Sequence, residues 1–288
     1  MLEYLKLCRP LHWIKNVLVF LPPFFLSVLF REDIFPLLIP AFLSFSLVAT
    51  SVYVLNDIYD RTHDMSHPER RSRPIASGYI KLPIAWAMVV LFAVGGLSLA
   101  LFSKMPIYSI VTLVLYLVMN VGYSLGLKHV PVVDVFVLAS GFVFRIFYGG
   151  FYFKIPISSY LFLCVFSVAL YFAFGKRKSE LKKYGKEGRP VLAKYNKLFL
   201  AAHYYLFCVL SVLFYCLWTI TRTGQNAVGK FALTIPFMIF IIVRYNLIVE
   251  TSEQYADPVP TLLRDKCLLT ATIFFILTNF IFLYCSFI

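Results

Sequence analysis

Nine long apolar runs leave this chain almost no route to a water-soluble fold. They occupy 14–30, 36–56, 82–102, 105–124, 131–149, 157–175, 198–219, 231–249 and 267–288. Each falls in the range of about 17–25 residues that an α-helix needs to cross the roughly 30 Å hydrocarbon core of a bilayer. Hydrocarbon offers no partner to a free backbone N–H or C=O, so such runs must be helical. The composition agrees, being 60% hydrophobic with a mean hydropathy of +0.80. The prediction is an all-α, polytopic membrane protein with nine transmembrane helices. The loops are too short for a separate soluble domain, so 1–288 is read as one membrane-embedded unit. The first run follows Lys6 and Arg9, as in a signal peptide, but it lacks a small-residue cleavage site and contains Pro22-Pro23. It is therefore expected to be a retained helix.

Lysine and arginine set the expected orientation. Alternate loops collect 21 of the 27 cations on one side and five on the other, with Arg145 inside a span. This places the N-terminus and loops 57–81, 125–130, 176–197 and 250–266 in the cytoplasm, and the C-terminus outside. Twelve of the 14 acids also fall on the cytoplasmic side. Acids contribute little to orientation, so their concentration there points to chemistry at the cytoplasmic face of the cell membrane. The net charge of +13 reflects this topology and suits anionic membrane lipids. Nucleic acid is not an expected partner, since no soluble basic domain exists to hold it. The six cysteines form no CxxC pair and mostly lie inside spans as small apolar residues.

The second run ends in Asn56-Asp57-Ile58-Tyr59-Asp60-Arg61-Thr62-His63-Asp64. Asp57, Asp60 and Asp64 stand at i, i+3 and i+7, so a helix puts them on one face. Three like charges there repel one another unless a cation sits among them. Mg²⁺ prefers carboxylates together with substrate phosphates. Asn56, Asp57, Asp60 and Asp64 are thus the candidate Mg²⁺ ligands, with a diphosphate as the substrate group; the bland account is a solvated helix end. After the sixth run the chain reads Lys176-Arg177-Lys178-Ser179-Glu180-Leu181-Lys182-Lys183. A juxtamembrane basic patch is the plain account. The sharper one is an anion with several phosphates, contacted by Lys176, Arg177 and Glu180, while Lys182, Lys183 and Lys186 are solvated.

Inside the spans, Asp134 and Arg145 share a helix face but lie about 16 Å apart along the axis, too far to pair. A mid-span arginine costs roughly 2.5–3.5 kcal/mol on insertion scales, so Arg145 should face the protein interior and a partner. Gly122 and Gly126 form a GxxxG, expected to pack helices. Tyr123 and Lys128 stand beside it, within reach of a phosphate.

Asn56-Asp57-x-x-Asp60-x-x-x-Asp64, followed by Arg73-Pro74-Ile75-Ala76-Ser77-Gly78, resembles the first motif of the UbiA superfamily of intramembrane prenyltransferases. The resemblance covers almost the whole chain. It implies nine transmembrane helices around a central cavity with the polar site at its cytoplasmic mouth. A narrower likeness is to the decaprenyl-phosphate phosphoribosyltransferase branch. It rests on Arg9-Pro10-Leu11-His12-Trp13-Ile14-Lys15-Asn16, Val133-Asp134, Gly141-Phe142-Val143-Phe144-Arg145, Gly175 to Glu180, Arg244-Tyr245 and Leu263-Arg264-Asp265.

The chain departs from the superfamily in one respect. Typical members carry a second aspartate-rich motif after the sixth helix, where this chain is basic. One acidic and one basic wall suit more phosphate and less metal, as phosphoribosyl diphosphate plus polyprenyl phosphate would supply. The resemblance therefore implies Mg²⁺-dependent transfer of a 5-phosphoribosyl group to a polyprenyl phosphate, in the service of cell wall biosynthesis. Asp57, Asp60 and Asp64 are the expected catalytic carboxylates. Lys15, Asn16, Arg73, Tyr123, Lys128, Lys176, Arg177 and Glu180 are the expected substrate contacts. The alternative is a prenyltransferase moving an isoprenyl group from its diphosphate to an aromatic or glycerol-type acceptor. A transporter is disfavoured, because its ionisable groups would cluster near the midplane of broken helices. Chain length of the lipid is not legible, and the sequence leaves a homo-oligomer open.

Overall fold

The computed structural model describes residues 2–68, 70–103, 105–185, 190–223, 229–251 and 257–285. Lys104, Lys186 and Arg189, counted above among the loop cations, lie outside them. The described residues form helices and no strand. In chain order these are α1 (Leu2–Cys8), α2 (Leu21–Phe25), α3 (Leu38–Tyr59), α4 (Arg61–Ser66), α5 (Leu82–Phe102), α6 (Ile107–Leu125), α7 (Val133–Tyr152), α8 (Ser159–Tyr184), α9 (Lys197–Thr223), α10 (Ile235–Thr251), α11 (Pro258–Arg264) and α12 (Lys266–Tyr284).

Among the described residues, eight stretches are long and apolar enough to cross a membrane, where nine were expected. The one that falls short is the first. Pro10–Phe20 is a 3₁₀ helix of 11 residues that runs into the five-residue α2. Runs of 3₁₀ helix beyond three or four residues are uncommon, because their hydrogen-bond geometry is poorer. Tertiary bonds hold this one. Asn16 is fully buried, donates to Ser46 Oγ of α3 at 2.9 Å, and accepts from Arg145 Nε of α7 at 2.8 Å. The larger 3₁₀ rise makes the combined segment about 30 Å long.

The chain divides into two compact units. The first holds 1–24, 28–130 and 144–156, and α3 is its centre. Phe45, Val48, Ala49 and Val52 of α3 are buried against Leu113 and Tyr116 of α6 and Tyr148 of α7. α5 closes on α3 at Gly96, where a Cβ would stand 2.7 Å from the Ser44 carbonyl oxygen. Gly149 lets the Val19 backbone of the 3₁₀ segment press directly on α7, and a Cβ there would overlap the Val19 carbonyl.

The second unit holds 25–27, 131–143 and 157–288. α8 and α9 form its spine. Tyr171 and Phe174 pack on Tyr204, Leu200 and Phe207, with Tyr171 and Tyr204 stacked at 4.8 Å. α8 continues about two turns beyond the apolar run 157–175, so residues 176–184, read from sequence as loop, are helical. Outward faces carry large apolar side chains, such as Val90, Leu91 and Val94 of α5 and Phe274 and Leu277 of α12. That is the surface a lipid-facing helix presents.

Candidate active site

The aspartate motif lies where α3 ends and α4 begins. The two helices join without a change of phase, since Asp60 N donates to Asn56 O at 2.9 Å and Asp64 N to Asp60 O at 2.8 Å. The expected common face therefore forms, and Asp57, Asp60 and Asp64 are all buried. Carboxylates at a helix C-terminus oppose the macrodipole, and here basic side chains compensate them. Arg73 Nη1, returning from the loop after α4, donates to Asp57 at 3.0 Å and to Asp64 at 2.7 Å. Lys128, on the short turn after α6, pairs with Asp60, which also accepts from Asn56 Nδ2 at 2.9 Å. Tyr123 is buried on the last turn of the same helix.

One partner was missed in the sequence. Arg9 Nη2 donates to Asp57 at 2.5 Å, and its guanidinium lies 5.8 Å from the Tyr53 ring centroid. Arg9 sits in the left-handed region, with φ 50°, immediately before Pro10. A non-glycine residue held there is strained. Its place in the Arg9-Pro10 stretch was the available signal.

Burial pushes the Asp64 carboxyl up. Arg73 opposes the shift, while Asp60 and Asp57 add to it. Two acceptor oxygens of the motif, Asn56 Oδ1 and Asp64 Oδ1, are buried without a hydrogen-bond partner among the described residues. Hard oxygen donors in an acidic setting fit Mg²⁺. Among the described residues, no three His, Cys, Asp or Glu side chains converge to hold a metal unaided. The carboxylates are held instead by Arg9, Lys128 and Arg73, with Arg73 shared between Asp57 and Asp64. Mg²⁺ usually takes one or two carboxylates and completes its shell with water and substrate phosphate.

The basic stretch behaves differently from expectation. Arg177 is completely buried; its Nε donates to Asp134 Oδ2 at 2.6 Å and its Nη1 to Glu180 Oε2 at 2.5 Å. Tyr195 O–H donates to the other Asp134 oxygen at 2.6 Å and accepts from Val132 N at 2.6 Å. Burial and the bond to Asp134 hold the Tyr195 phenol well above its ordinary value, so it stays a neutral donor. Arg177 and Glu180 thus lock α8 to the start of α7, a consequence of α8 extending past its apolar run. Asn16 likewise serves a buried joint. Lys15 and Lys176 are half-buried at the surface. Arg145 meets its expectation: it is buried, bonded to Asn16, and lies 5.0 Å from the Phe45 ring centroid. Gly122 and Gly126 do not pack helices. A Cβ on Gly126 would meet nothing, and the pair forms the closing turn of α6.

Residues 20–259 match the UbiA prenyltransferase family. The chain belongs to that family. It is 34% identical over 276 residues to the decaprenyl-phosphate phosphoribosyltransferase of Mycobacterium tuberculosis, covering 91% of this chain and 88% of that one. The protein of that name from Mycolicibacterium smegmatis is 31% identical over 280 residues, covering 92% and 87%. Among solved structures, a UbiA homolog from Archaeoglobus fulgidus bound to DMAPP and Mg²⁺ superposes with a TM-score of 0.71 at 18% identity, over 96% of this chain and 98% of that one. The all-α architecture is thus the UbiA fold, and this UbiA protein is a multi-pass membrane protein.

Proposed function

We propose that this UbiA member transfers a 5-phosphoribosyl group from phosphoribosyl diphosphate to a polyprenyl phosphate, releasing diphosphate. The observation that carries the reading is the likeness to decaprenyl-phosphate phosphoribosyltransferases over about nine-tenths of the chain. The end of α8 supports it: Glu180, the acid standing where other members carry their second aspartate motif, is already committed to Arg177.

In this reading Asn56, Asp57, Asp60 and Asp64 hold Mg²⁺, which supplies charge neutralisation to the diphosphate leaving group. Arg73 and Lys128 already reach this motif and present N–H donors to the phosphate oxygens. Tyr123 and Lys15 are further phosphate contacts within the first unit. An oxygen of the lipid phosphate attacks the anomeric carbon as the C–O bond to diphosphate breaks, with inversion. That oxygen is already ionised at neutral pH, so no general base is required. The reacting groups lie at the cytoplasmic face, with the N-terminus cytoplasmic and the C-terminus outside. This topology counts the helical stretch from Pro10 to Phe25 as the first crossing.

The test is an assay of purified protein with labelled phosphoribosyl diphosphate, polyprenyl phosphate and Mg²⁺. The expected product is a lipid-extractable phosphoribosyl ester. If the protein ignores that donor and moves an isoprenyl group to a neutral acceptor, the branch assignment fails and the family membership stands.

A further inference from the structure

A second polar site lies within the second unit. The end of α8, the first turn of α9 and the end of α10 enclose a half-open groove of about 250 Å³. Lys178, Ser179, Lys182, Lys197 and Glu250 supply its polar lining. This volume lies below the roughly 300–1,000 Å³ of sites for drug-sized ligands, which suits a head group and not a whole lipid.

The charges in the groove do not balance. Glu250 is satisfied by Lys178 and by Tyr205 O–H, which donates to it at 2.7 Å. Lys178 is further held against the Tyr204 and Tyr205 rings at about 5 Å. Among the described residues Lys182 donates to the Glu250 carbonyl oxygen, at 2.6 Å, and lends the Glu250 carboxylate a weaker through-space attraction. Lys197 has no ion-pair partner among the described residues. Lysines in the last turn of α8 suit its dipole, which accounts for Lys182 without any ligand. The same rule works against Lys197, because it is the first residue of the 27-residue α9, where the helix end is already positive. An anion at that place relieves both charges.

Ser179 supplies an independent observation. It is 5% exposed, lines the groove, and its Oγ has no hydrogen-bond partner among the described residues. A buried hydroxyl without a partner costs free energy that a ligand oxygen would recover.

We propose that this groove binds a phosphate group, with Ser179 O–H, Lys182 and Lys197 as its donors. The group arrives either on an anionic lipid head group at the membrane surface or as a small water-soluble phosphate. The site does not depend on the transfer chemistry proposed above.

The experiment follows the thermal unfolding midpoint of the purified full-length chain in neutral detergent. One arm titrates phosphatidic acid against phosphatidylcholine. The other titrates inorganic phosphate against chloride at equal ionic strength. Wild type should be stabilised in at least one arm. A response to phosphatidic acid alone identifies a lipid head group, and a response to inorganic phosphate identifies a small anion. Lys182→Ala with Lys197→Ala should weaken the responding ligand about tenfold or more, two charge-assisted contacts being lost. Both side chains are exposed, so this variant should fold. Ser179→Ala should weaken binding several-fold without lowering the unliganded midpoint, because it deletes a hydroxyl without a partner among the described residues. No response in either arm, or the same affinity in wild type and the lysine variant, overturns the proposal.

Discussion

Arg177 and Asp134 are 43 positions apart in the chain and 2.6 Å apart in space, and neither side chain has any solvent exposure. Taking two such charges out of water is expensive, and removing one partner strands the other. Losing half of a buried pair typically costs about 3–5 kcal/mol. Arg177→Ala or Asp134→Ala should therefore lower the unfolding midpoint sharply and reduce the yield of folded protein. The split between stability and kinetics is the check. If Arg177→Ala instead folds normally and only raises KM for the donor, Arg177 is a substrate contact and its structural role is wrong.

Asp57→Asn and Asp60→Asn should leave a folded membrane protein with turnover reduced by about 10²–10³-fold or more, since each removes charge from the proposed Mg²⁺ cradle. Circular dichroism and the unfolding midpoint report the fold, and initial rates across a Mg²⁺ titration report function. Near-normal turnover at ordinary Mg²⁺ in either variant removes the motif from the metal site.

Asp265 gives a pH signature within the second unit. It caps α12 by accepting from Leu268 N at 2.7 Å, and Arg244 Nη2 donates to it at 2.8 Å. The Arg244 bond, then the Leu268 amide, hold its carboxyl below the usual range. A group depressed in the folded state contributes stability above its unfolded pKa of about 3.9, and that contribution is lost as pH falls through the lower folded value. Wild type should therefore lose a small increment of stability below about pH 4 that Asp265→Asn lacks. Asp265→Ala should cost about 1 kcal/mol at neutral pH through the lost cap. Parallel unfolding curves for wild type and Asp265→Asn down to pH 3 would refute the assignment.

Topology is tested within the first unit. Glu32 precedes α3, Arg71 follows its C-terminal end, and both are exposed. In a cysteine-free background, Glu32→Cys and Arg71→Cys should react with an impermeant thiol reagent from opposite sides of the membrane, Arg71→Cys from the cytoplasm. Reaction from the same side would contradict the cation count. Ser179 is unsuitable as a reporter because it is buried.

The sequence by itself determined the class, eight of its nine expected spans and the common face of Asp57, Asp60 and Asp64. Those properties depend on runs of apolar residues and on helical periodicity, which are local and need no knowledge of neighbours. It also placed Arg145 in the interior, because a mid-span charge has nowhere else to go. What only the tertiary structure decided is how each charge is partnered. Arg9 reaches Asp57 through a left-handed backbone turn, Asn16 bonds α3 and α7 from a 3₁₀ segment, and Arg177 turns inward to Asp134 because α8 continues past its apolar run. A lysine or arginine looks the same in sequence whether it faces phosphate, lipid or a buried carboxylate. The choice is made by long-range packing, which brings a compensating charge to one guanidinium and leaves the Ser179 hydroxyl, one residue from Lys178 and Glu180, without a partner among the described residues.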